Sequence, residues 1–172
     1  MWSPRPLARD RRAPAGFIEP CQPVLRDTPP FGAEWLTEIK HDGYRLVARK
    51  DGERICLWSR NGRNWTSTFP TIVPALEALP DHVVLDGEAV AHCDQGLPDF
   101  HSLHSRFGGD TACLYVFDVL FVGDRDLRRL PLIERKQELS RLLGGAPPGL
   151  IATEFIEGKG RAVFEHACKA RA

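Results

Sequence analysis

Residues 38–45 read Glu-Ile-Lys-His-Asp-Gly-Tyr-Arg, and the rest of the chain is best understood around the lysine at position 40. A lysine amine is a good nucleophile once it is neutral, whereas arginine stays charged. Gly43 allows the backbone to turn tightly, and the guanidinium of Arg45 can bind two phosphate oxygens at once. The stretch therefore favours nucleophilic chemistry on a phosphate, although Asp-Gly is also a common hairpin turn.

The overall composition indicates a soluble globular protein, and its charge is uneven along the chain. The 172 residues are 42% hydrophobic and 27% charged, which suits one domain of ordinary size. Basic and acidic residues number 23 each, so there is no general basic signature of a nucleic-acid binder. Between Lys40 and Arg63, however, seven basic residues stand against three acidic ones. This local excess favours phosphate as a ligand.

The cysteines and the N-terminus predict a cytoplasmic location. The five cysteines are odd in number, widely spaced and without a Cys-x-x-Cys pair, which argues against a disulfide framework. The basic, proline-rich opening is not followed by an apolar run long enough for a signal peptide. No later stretch is long enough for a membrane span, so we expect no membrane partner.

The pattern of short runs and turns predicts an α+β protein. Residues 1–16 are expected to be a disordered leader or linker, and 17–172 a folded domain. We predict strands at 35–40, 44–49 and 54–58 as an antiparallel meander, with a turn at Asp51-Gly52, and further strands at 83–90, 112–121 and 150–156. Helices are predicted over 69–79, 99–107, Leu132–Leu143 with Pro131 as its first residue, and 160–172. Hairpin connections imply antiparallel sheets flanked by helices.

Several other residues could carry chemistry, but each also has an ordinary structural explanation. Glu38 and Glu88 fit the solvent faces of half-buried strands. Phe117 fits a packed core, and Arg60 a solvated loop. Asp118 interrupts the most apolar strand and needs a reason. The histidines and cysteine at 92, 93, 101 and 104 do not have the spacing of a common zinc site.

The order of these residues is more specific than any one of them. The relevant stretches are Lys40-His41-Asp42-Gly43-Tyr44-Arg45, Ser59-Arg60-Asn61-Gly62, Leu85-Asp86-Gly87-Glu88, Tyr115-Val116-Phe117-Asp118 and Leu130-Pro131-Leu132-Ile133-Glu134-Arg135-Lys136. Together they resemble successive motifs of ATP-dependent DNA ligases, and look most similar to bacterial ligases associated with double-strand-break end joining. The resemblance runs from about Phe17 to the end of the chain.

The resemblance implies a nucleotidyltransferase adenylation domain, in which antiparallel sheets and helices form an ATP cleft. Lys40 would attack the α-phosphate of ATP, expel pyrophosphate and become a lysine-AMP phosphoramidate. Arg45 and Arg60 would neutralise phosphate or position the 5′-phosphate of a nick. The remaining nucleotide-binding residues would be Glu88 on the ribose or a metal, Phe117 stacked on adenine, and Glu38 and Ile39 near the base.

The same resemblance implies cofactors and partners. ATP with Mg²⁺, or Mn²⁺, would supply the adenylate, since a divalent cation stabilises part of the charge in phosphoryl transfer. The substrate would be nicked or broken double-stranded DNA in repair and recombination, with a possible end-bridging repair protein as partner and the ligase itself a monomer. The family's later Glu-Gly and Lys-x-Lys motifs are absent, so we expect the fold to be incomplete at its C-terminus and this chain alone to be nearly inactive.

Two other functions remain open at this point. An RNA ligase or a capping guanylyltransferase shares the lysine chemistry, although the match around Arg60 and over 130–136 favours a DNA ligase. A binding module for nucleotide or DNA that has lost catalysis would keep the fold without its closing motifs.

Overall fold

The computed structural model describes residues 13–30, 32–92, 103, 108–145, 148–158 and 160–170. Residues 167–170 are described by their backbone alone. The strands of the described part are β1 (Leu36–Glu38), β2 (Tyr44–Asp51), β3 (Arg54–Ser59), β4 (Val83–Ala91), β5 (Ala112–Val122), β6 (Arg125–Asp126), β7 (Leu150–Ala152) and β8 (Phe155–Glu157). The helices with described bounds are α1 (Ile72–Glu77), α2 (Leu132–Leu143) and α3 (Gly160–Ala170). In the described part, none of the helices has both the length and the apolar composition to cross a membrane.

The chain divides into two compact units. The larger unit contains the chain up to Pro20 and His41–Ala152, and the smaller unit contains Cys21–Lys40 and the chain from Thr153 onward. The larger unit holds a six-stranded sheet of order β3-β2-β4-β5-β6, with β7 paired to β5. In the smaller unit β1 pairs with β8, and α3 packs near β1.

The main core lies on one face of the large sheet, because alternate residues of its strands are apolar. Leu46 and Ala48 of β2 point into this core, together with the α1 residues Ile72 and Leu76 and the α2 residue Leu139. Both helices therefore cover the same face. The central strand β4 is buried along almost its whole length, as expected for a strand with neighbours on both sides.

The opposite face of the sheet is covered only in part. Val47, Val84 and Phe121 form a small second cluster there, against which Ala13, Phe17 and Ile18 pack. The side chain of Arg49 donates hydrogen bonds to the backbone carbonyls of Pro14 and Gly16. Residues 13–16 of the predicted leader thus contact the sheet, while a leader over 1–12 stays a prediction.

The predicted three-stranded meander was wrong in its first strand. β2 and β3 form the expected hairpin, with Gly52 at a positive φ of 60° in the turn. β1 is shorter than predicted and pairs with β8 instead of β2, Leu36 lying opposite Glu157 and Glu38 opposite Phe155. The local sequence favoured a strand there, but a partner distant in sequence competes for its hydrogen bonds.

The predicted strand 150–156 is in fact two strands in different sheets. β7 pairs in parallel with β5, with Leu114 opposite Leu150, and β8 pairs antiparallel with β1. Thr153 and Glu154 connect them. The expectation of purely antiparallel pairing is therefore corrected at β7.

Two helices begin at different positions from those predicted. α1 begins at Ile72 instead of Phe69, because Phe69 precedes Pro70 and has a non-helical φ of −125°. Pro131 is the N-cap of α2, with φ −52° and ψ 145°, one position before the helix. α3 is described to Ala170. The helix predicted at 99–107 falls outside the described residues, except for Leu103, which is buried.

Candidate active site

One end of the large sheet gathers residues that are far apart in the sequence. Arg45 of β2 lies opposite Glu88 of β4, and Glu88 lies opposite Tyr115 of β5. β3 ends at Ser59 beside the start of β2, so Arg60 leaves the sheet at the same end as Arg45. The antiparallel register therefore brings several of the quoted motifs to one edge of the sheet.

Arg45 is held on two sides. Its Nε and Nη2 atoms donate hydrogen bonds to the Asp86 carboxylate over 3.0 and 2.8 Å. Its guanidinium carbon lies 5.4 Å from the centroid of the Phe117 ring, which is a cation–π distance. The side chains of Arg45 and Asp86 are 18% and 5% exposed, so the pair is largely shielded from water. A bidentate contact of this kind fixes the plane of the guanidinium.

Asp86 is the most deeply buried acid of this face. Burial raises its pKa, and the nearby Asp118 carboxylate acts in the same direction, while the hydrogen bonds and charge of Arg45 oppose them. The net effect is a raised pKa. Removal of Arg45 would leave this carboxylate without the interaction that stabilises its charge.

Asp118 has a structural reason to interrupt the most apolar strand. Arg135 of α2 donates from Nε and Nη2 to its two oxygens over 2.8 and 2.9 Å, and also donates to the carbonyl of Leu130 over 2.6 Å. The backbone N–H of Val119 donates to Asp118 over 2.8 Å. Asp118 and the stretch 130–136 therefore attach α2 to the sheet.

Phe117 belongs to neither apolar cluster, although it sits in a strand that supplies much of the core. It is half-buried, and the register of β4 and β5 shifts beside it, where Asp86 pairs with Asp118 but Gly87 pairs with Val116. Such a β-bulge leaves one residue without a direct partner and redirects its side chain. Phe117 therefore contacts Arg45 and does not pack in the core, which was its ordinary structural explanation.

Gly43 is required by a close approach of two backbone segments. A Cβ on Gly43 would overlap the carbonyl oxygen of Ala89 in β4. Gly87 is similarly restricted, since its Cβ would lie 2.7 Å from the carbonyl oxygen of Tyr115. The glycine of the Lys-x-Asp-Gly pattern therefore allows the start of β2 to pack closely against β4, and it does not form a hairpin turn.

Arg60 is exposed at a tight turn. The N–H of Gly62 donates to the carbonyl of Ser59 over 2.8 Å, and Gly62 has a positive φ of 77°. Within the described residues, the Arg60 side chain makes no hydrogen bond or ion pair. Its charge is therefore open to water and to any anion that approaches this end of the sheet.

Lys40 and two further predicted residues lie in the smaller unit. Glu38 is the last residue of β1 and is half-buried, whereas Ile39 and Lys40 follow the strand and are exposed, Ile39 by 71%. The predicted strand to position 40 therefore ends two residues early, and Lys40 lies between β1 and β2.

A family model for the ATP-dependent DNA ligase domain matches residues 19–169. The chain belongs to the ATP-dependent DNA ligase family. The family and the fold class that the sequence motifs implied are therefore confirmed, including the mixed architecture with antiparallel sheets and few helices.

Curated ligase relatives are similar over most of this chain. The multifunctional non-homologous end joining protein LigD of Mycolicibacterium smegmatis is 34% identical over 139 residues, which cover 80% of this chain and 18% of the relative. The SPbeta prophage-derived DNA ligase-like protein LigB of Bacillus subtilis is 34% identical over 143 residues, covering 80% of this chain and 52% of that protein. The chain thus spans from under a fifth to about half of these relatives.

A solved structure supports the same fold. The crystal structure of the ligase domain of LigD from M. tuberculosis aligns with a TM-score of 0.64 at 32% identity. The alignment covers 78% of this chain and 44% of the other. A mycobacterial DNA ligase D solved with ATP and MES aligns with a TM-score of 0.63 at 29% identity.

Motif matching identified some residues of this ligase fold and missed others. Asp86 was quoted within a motif but given no role, although its i, i+2 spacing from Glu88 indicates that both lie on one face of a strand. Tyr115, His41 and His92 were missed as a group. The Tyr115 hydroxyl lies 2.9 Å from His92 Nε2, and the ring centroids of His41 and Tyr115 are 4.1 Å apart. These contacts join residues far apart in the sequence, so the motifs do not reveal them.

Among the described residues, no group of three or more His, Cys, Asp or Glu side chains is arranged to hold a metal ion. Of the histidines and cysteine considered for zinc, only His92 is described, and it contacts Tyr115. Glu88 is a half-buried carboxylate on the same edge as Arg45.

Proposed function

We propose that this protein is an ATP-dependent DNA ligase that forms a lysine-AMP intermediate on Lys40 and seals nicks or breaks in double-stranded DNA. The observation that carries the proposal is the Arg45 guanidinium held between Asp86 and the Phe117 ring, five residues after the lysine of a ligase-family motif. Fixed donors beside an aromatic ring suit a nucleotide, since they lose little freedom on binding.

The first chemical step forms one bond and breaks another. The neutral amine of Lys40 attacks the α-phosphorus of ATP, a P–N bond forms, and the bond from that phosphorus to the bridging oxygen of the β-phosphate breaks. Pyrophosphate leaves and the amine loses a proton to solvent. Such phosphoryl transfer depends on positioning and on charge neutralisation.

The sheet residues would bind the nucleotide in different ways. Phe117 would stack on adenine, with Glu38 and Ile39 near the base. The charge of Arg45 is already paired with Asp86, so we assign Arg45 a hydrogen bond that orients the nucleotide. The exposed charge of Arg60 would attract phosphate.

Glu88 could supply the carboxylate ligand that a magnesium or manganese ion needs from the protein. Mg²⁺ is commonly bound through one or two carboxylates together with substrate phosphates and water. One half-buried carboxylate at the edge where nucleotide is proposed to bind matches that donor set. A bound cation would neutralise charge on the phosphates, and Glu88 would alternatively accept a hydrogen bond from the ribose.

The names of the relatives support the proposed partners, and the cysteines support the proposed location. The LigD relatives are named as non-homologous end joining proteins, so we propose double-strand-break repair, with an end-bridging protein as partner and the ligase as a monomer. We also propose the bacterial cytosol, since the thiols of Cys21, Cys56 and Cys113 are all free in the described part of the chain.

Transfer of label from ATP tests the nucleophile. The chain, with whatever residues the reading frame adds after Ala172, is incubated with ATP labelled at the α-phosphate, and separately with labelled GTP. We expect label from ATP on the peptide that contains Lys40, lost in acid and retained in alkali as a phosphoramidate is. Lys40→Arg should abolish it, because arginine stays protonated.

A matched control is Lys50→Arg, which keeps a cation that donates to the carbonyls of Glu77 and Leu79 at the far end of β2. This variant should label normally. Labelling of Lys40→Arg would place the nucleophile elsewhere, and labelling from GTP alone would indicate a capping-type enzyme. A labelled protein that fails to seal nicked DNA would contradict the ligase assignment.

A further inference from the structure

Three rings form a small cluster next to the proposed nucleophile. His41 follows Lys40 directly in the chain, and its ring lies on that of Tyr115 with an interplanar angle of 34°. On the other side, the Tyr115 hydroxyl contacts His92 at the end of β4. Tyr115 is thus held by a hydrogen bond at its hydroxyl while its ring supports His41.

The segment between Lys40 and β2 is fixed at two points. The first is the ring contact of His41 with Tyr115 on β5. The second is the backbone contact of Gly43 with Ala89 on β4, which leaves no space for a Cβ. A segment attached to two neighbouring strands has little freedom to move, so the backbone is constrained where Lys40 joins it.

The charges around His41 are compatible with a packed ring. Burial lowers the pKa of His41, and the neighbouring His92 lowers it as well, while Asp42 acts in the opposite direction. With its pKa below the ordinary value of about 6.5, the ring is mostly neutral at pH 7. A neutral ring can stack on Tyr115 without the cost of burying a charge.

We propose that Tyr115 is a positioning residue for the reaction of Lys40, holding the His41 ring and thereby the backbone that carries the nucleophile. This role rests on the proposed function of Lys40. It assigns a purpose to the spacer residue of the Lys-x-Asp-Gly pattern, which motif matching treats as free.

Single-turnover adenylation separates positioning from ATP binding. Tyr115→Leu and His41→Ala should each lower the maximal rate by ~10-fold or more, since small displacements of a reacting group can cost ~10²-fold in rate. The ATP concentration that gives half the maximal rate should change less than ~2-fold, because neither ring is assigned to the nucleotide. The conservative variants Tyr115→Phe and His41→Phe keep the ring contact and should retain most of the rate.

The double variant tests whether the two rings act together. If Tyr115 acts through His41, combining Tyr115→Leu with His41→Ala should lower the rate no further than either change alone. Multiplied effects would overturn the proposal. A change confined to the half-saturating ATP concentration would also overturn it, since it would place Tyr115 in nucleotide binding.

Hydrogen exchange provides a readout independent of the reaction. Exchange of the backbone amides at 41–44 should be faster in Tyr115→Leu than in the unaltered protein and restored in Tyr115→Phe. Unchanged exchange would overturn the proposal even if the rate fell. Labelling of Lys40→Arg would instead overturn the proposed function, and the positioning role with it, while the exchange data would still report whether Tyr115 anchors the segment.

Discussion

The surroundings of Phe117 in the structure differ from those that its apolar strand suggests. An aromatic residue in an apolar strand normally belongs to the core. Here the bulge in β5 places it beside Arg45 and outside both apolar clusters. The guanidinium lies over the ring, so an adenine base would have to stack on the other face of that ring or share it with Arg45. Either arrangement uses the flat surface of Phe117 and not merely its volume.

Replacing the ring should therefore weaken nucleotide binding without unfolding the protein. Phe117→Leu keeps apolar volume but removes the stacking surface, and stacking of a base on an aromatic ring is worth ~1–3 kcal/mol. We expect ATP affinity to fall roughly tenfold or more. Titration with ATP, with a circular dichroism melt as a check on folding, measures both effects.

The matched control is Phe17→Leu. Phe17 is another half-buried ring on the same face, but it packs edge-on against Trp58, with centroids 6.3 Å apart, and beside Gly62. Its loss should leave ATP affinity unchanged. Equal ATP affinity in Phe117→Leu and the unaltered protein would show that Phe117 packs within the protein and does not stack on the nucleotide.

Among the elements, the hairpin of β5 and β6 contains a local charge contact with a defined dependence on pH. Arg128 donates from its backbone N–H, Nε and Nη2 to the Asp126 carboxylate, at 3.1, 2.9 and 2.8 Å. The guanidinium of Arg128 also lies over the ring of Phe121, 4.7 Å from its centroid. The contact thus joins the turn to the second apolar cluster.

Asp126 should stabilise the fold at neutral pH and lose that effect in acid. The hydrogen bond from Arg128 lowers its pKa, burial opposes this, and further contacts with Arg128 and Arg129 lower it. A lowered pKa stabilises the folded state above the ordinary value of about 3.9, and the contribution disappears as pH falls through the folded value. Asp126→Asn should reduce the free energy of unfolding at pH 7, with a difference that shrinks in acid.

Urea unfolding at a series of pH values measures this difference. Asp124→Asn in the same hairpin is the control, since Asp124 is exposed, and it should have little effect at any pH. A difference for Asp126→Asn that persists unchanged below pH 3 would show that the carboxylate charge is not its source.

The elements also show which parts of the fold can be predicted from sequence. β2 to β5 were predicted closely because their alternation and their turns agree, as at Gly52. β1 was assigned the wrong partner, and β7 and β8 were merged, because the choice of partner depends on residues far away in the chain. Local pattern encodes the tendency to form a strand but only weakly its register.

The residues of the candidate site also divide into those that the sequence predicts and those that it does not. Lys40, Arg45 and Phe117 could be singled out because ligase motifs carry them in order. The pairing of Arg45 with Asp86 and the stacking of His41 on Tyr115 could not, since each contact joins residues far apart in the sequence. Sequence therefore identified the residues proposed for the chemistry but not those that hold them in place.

At the scale of the whole molecule, the two units differ in the sequence separation of the strands that pair within them. β2 pairs with β3 through a short turn, whereas Leu36 of β1 pairs with Glu157 of β8, roughly 120 residues away, and closing a longer loop costs more entropy. Local contacts form early in most small domains. The hairpin should therefore be present in the folding transition state, and the β1–β8 pair should form after it.

Chevron analysis can test this order. Leu57→Ala, in β3, should slow refolding, whereas Leu36→Ala, in β1, should mainly speed unfolding and give a φ-value of about 0–0.3. Both positions carry leucine, so the same side-chain atoms are removed. A refolding rate slowed as much by Leu36→Ala as by Leu57→Ala would contradict late formation of the β1–β8 pair.

The pairing of β1 with β8 has a consequence for the chain as the ribosome makes it. Lys40 is translated just after β1, but β8, the partner of β1, follows only after about 120 more residues, a delay of several to tens of seconds at ~5–20 residues per second. Through that interval β1 is an open strand edge on the nascent chain, able to pair wrongly with other extended segments. The polypeptide between β1 and β8 supplies all six strands of the large sheet, so that sheet can form first. The β1–β8 pair next to the lysine proposed to react would then form only after the strands that carry Arg45, Glu88 and Phe117 are in place.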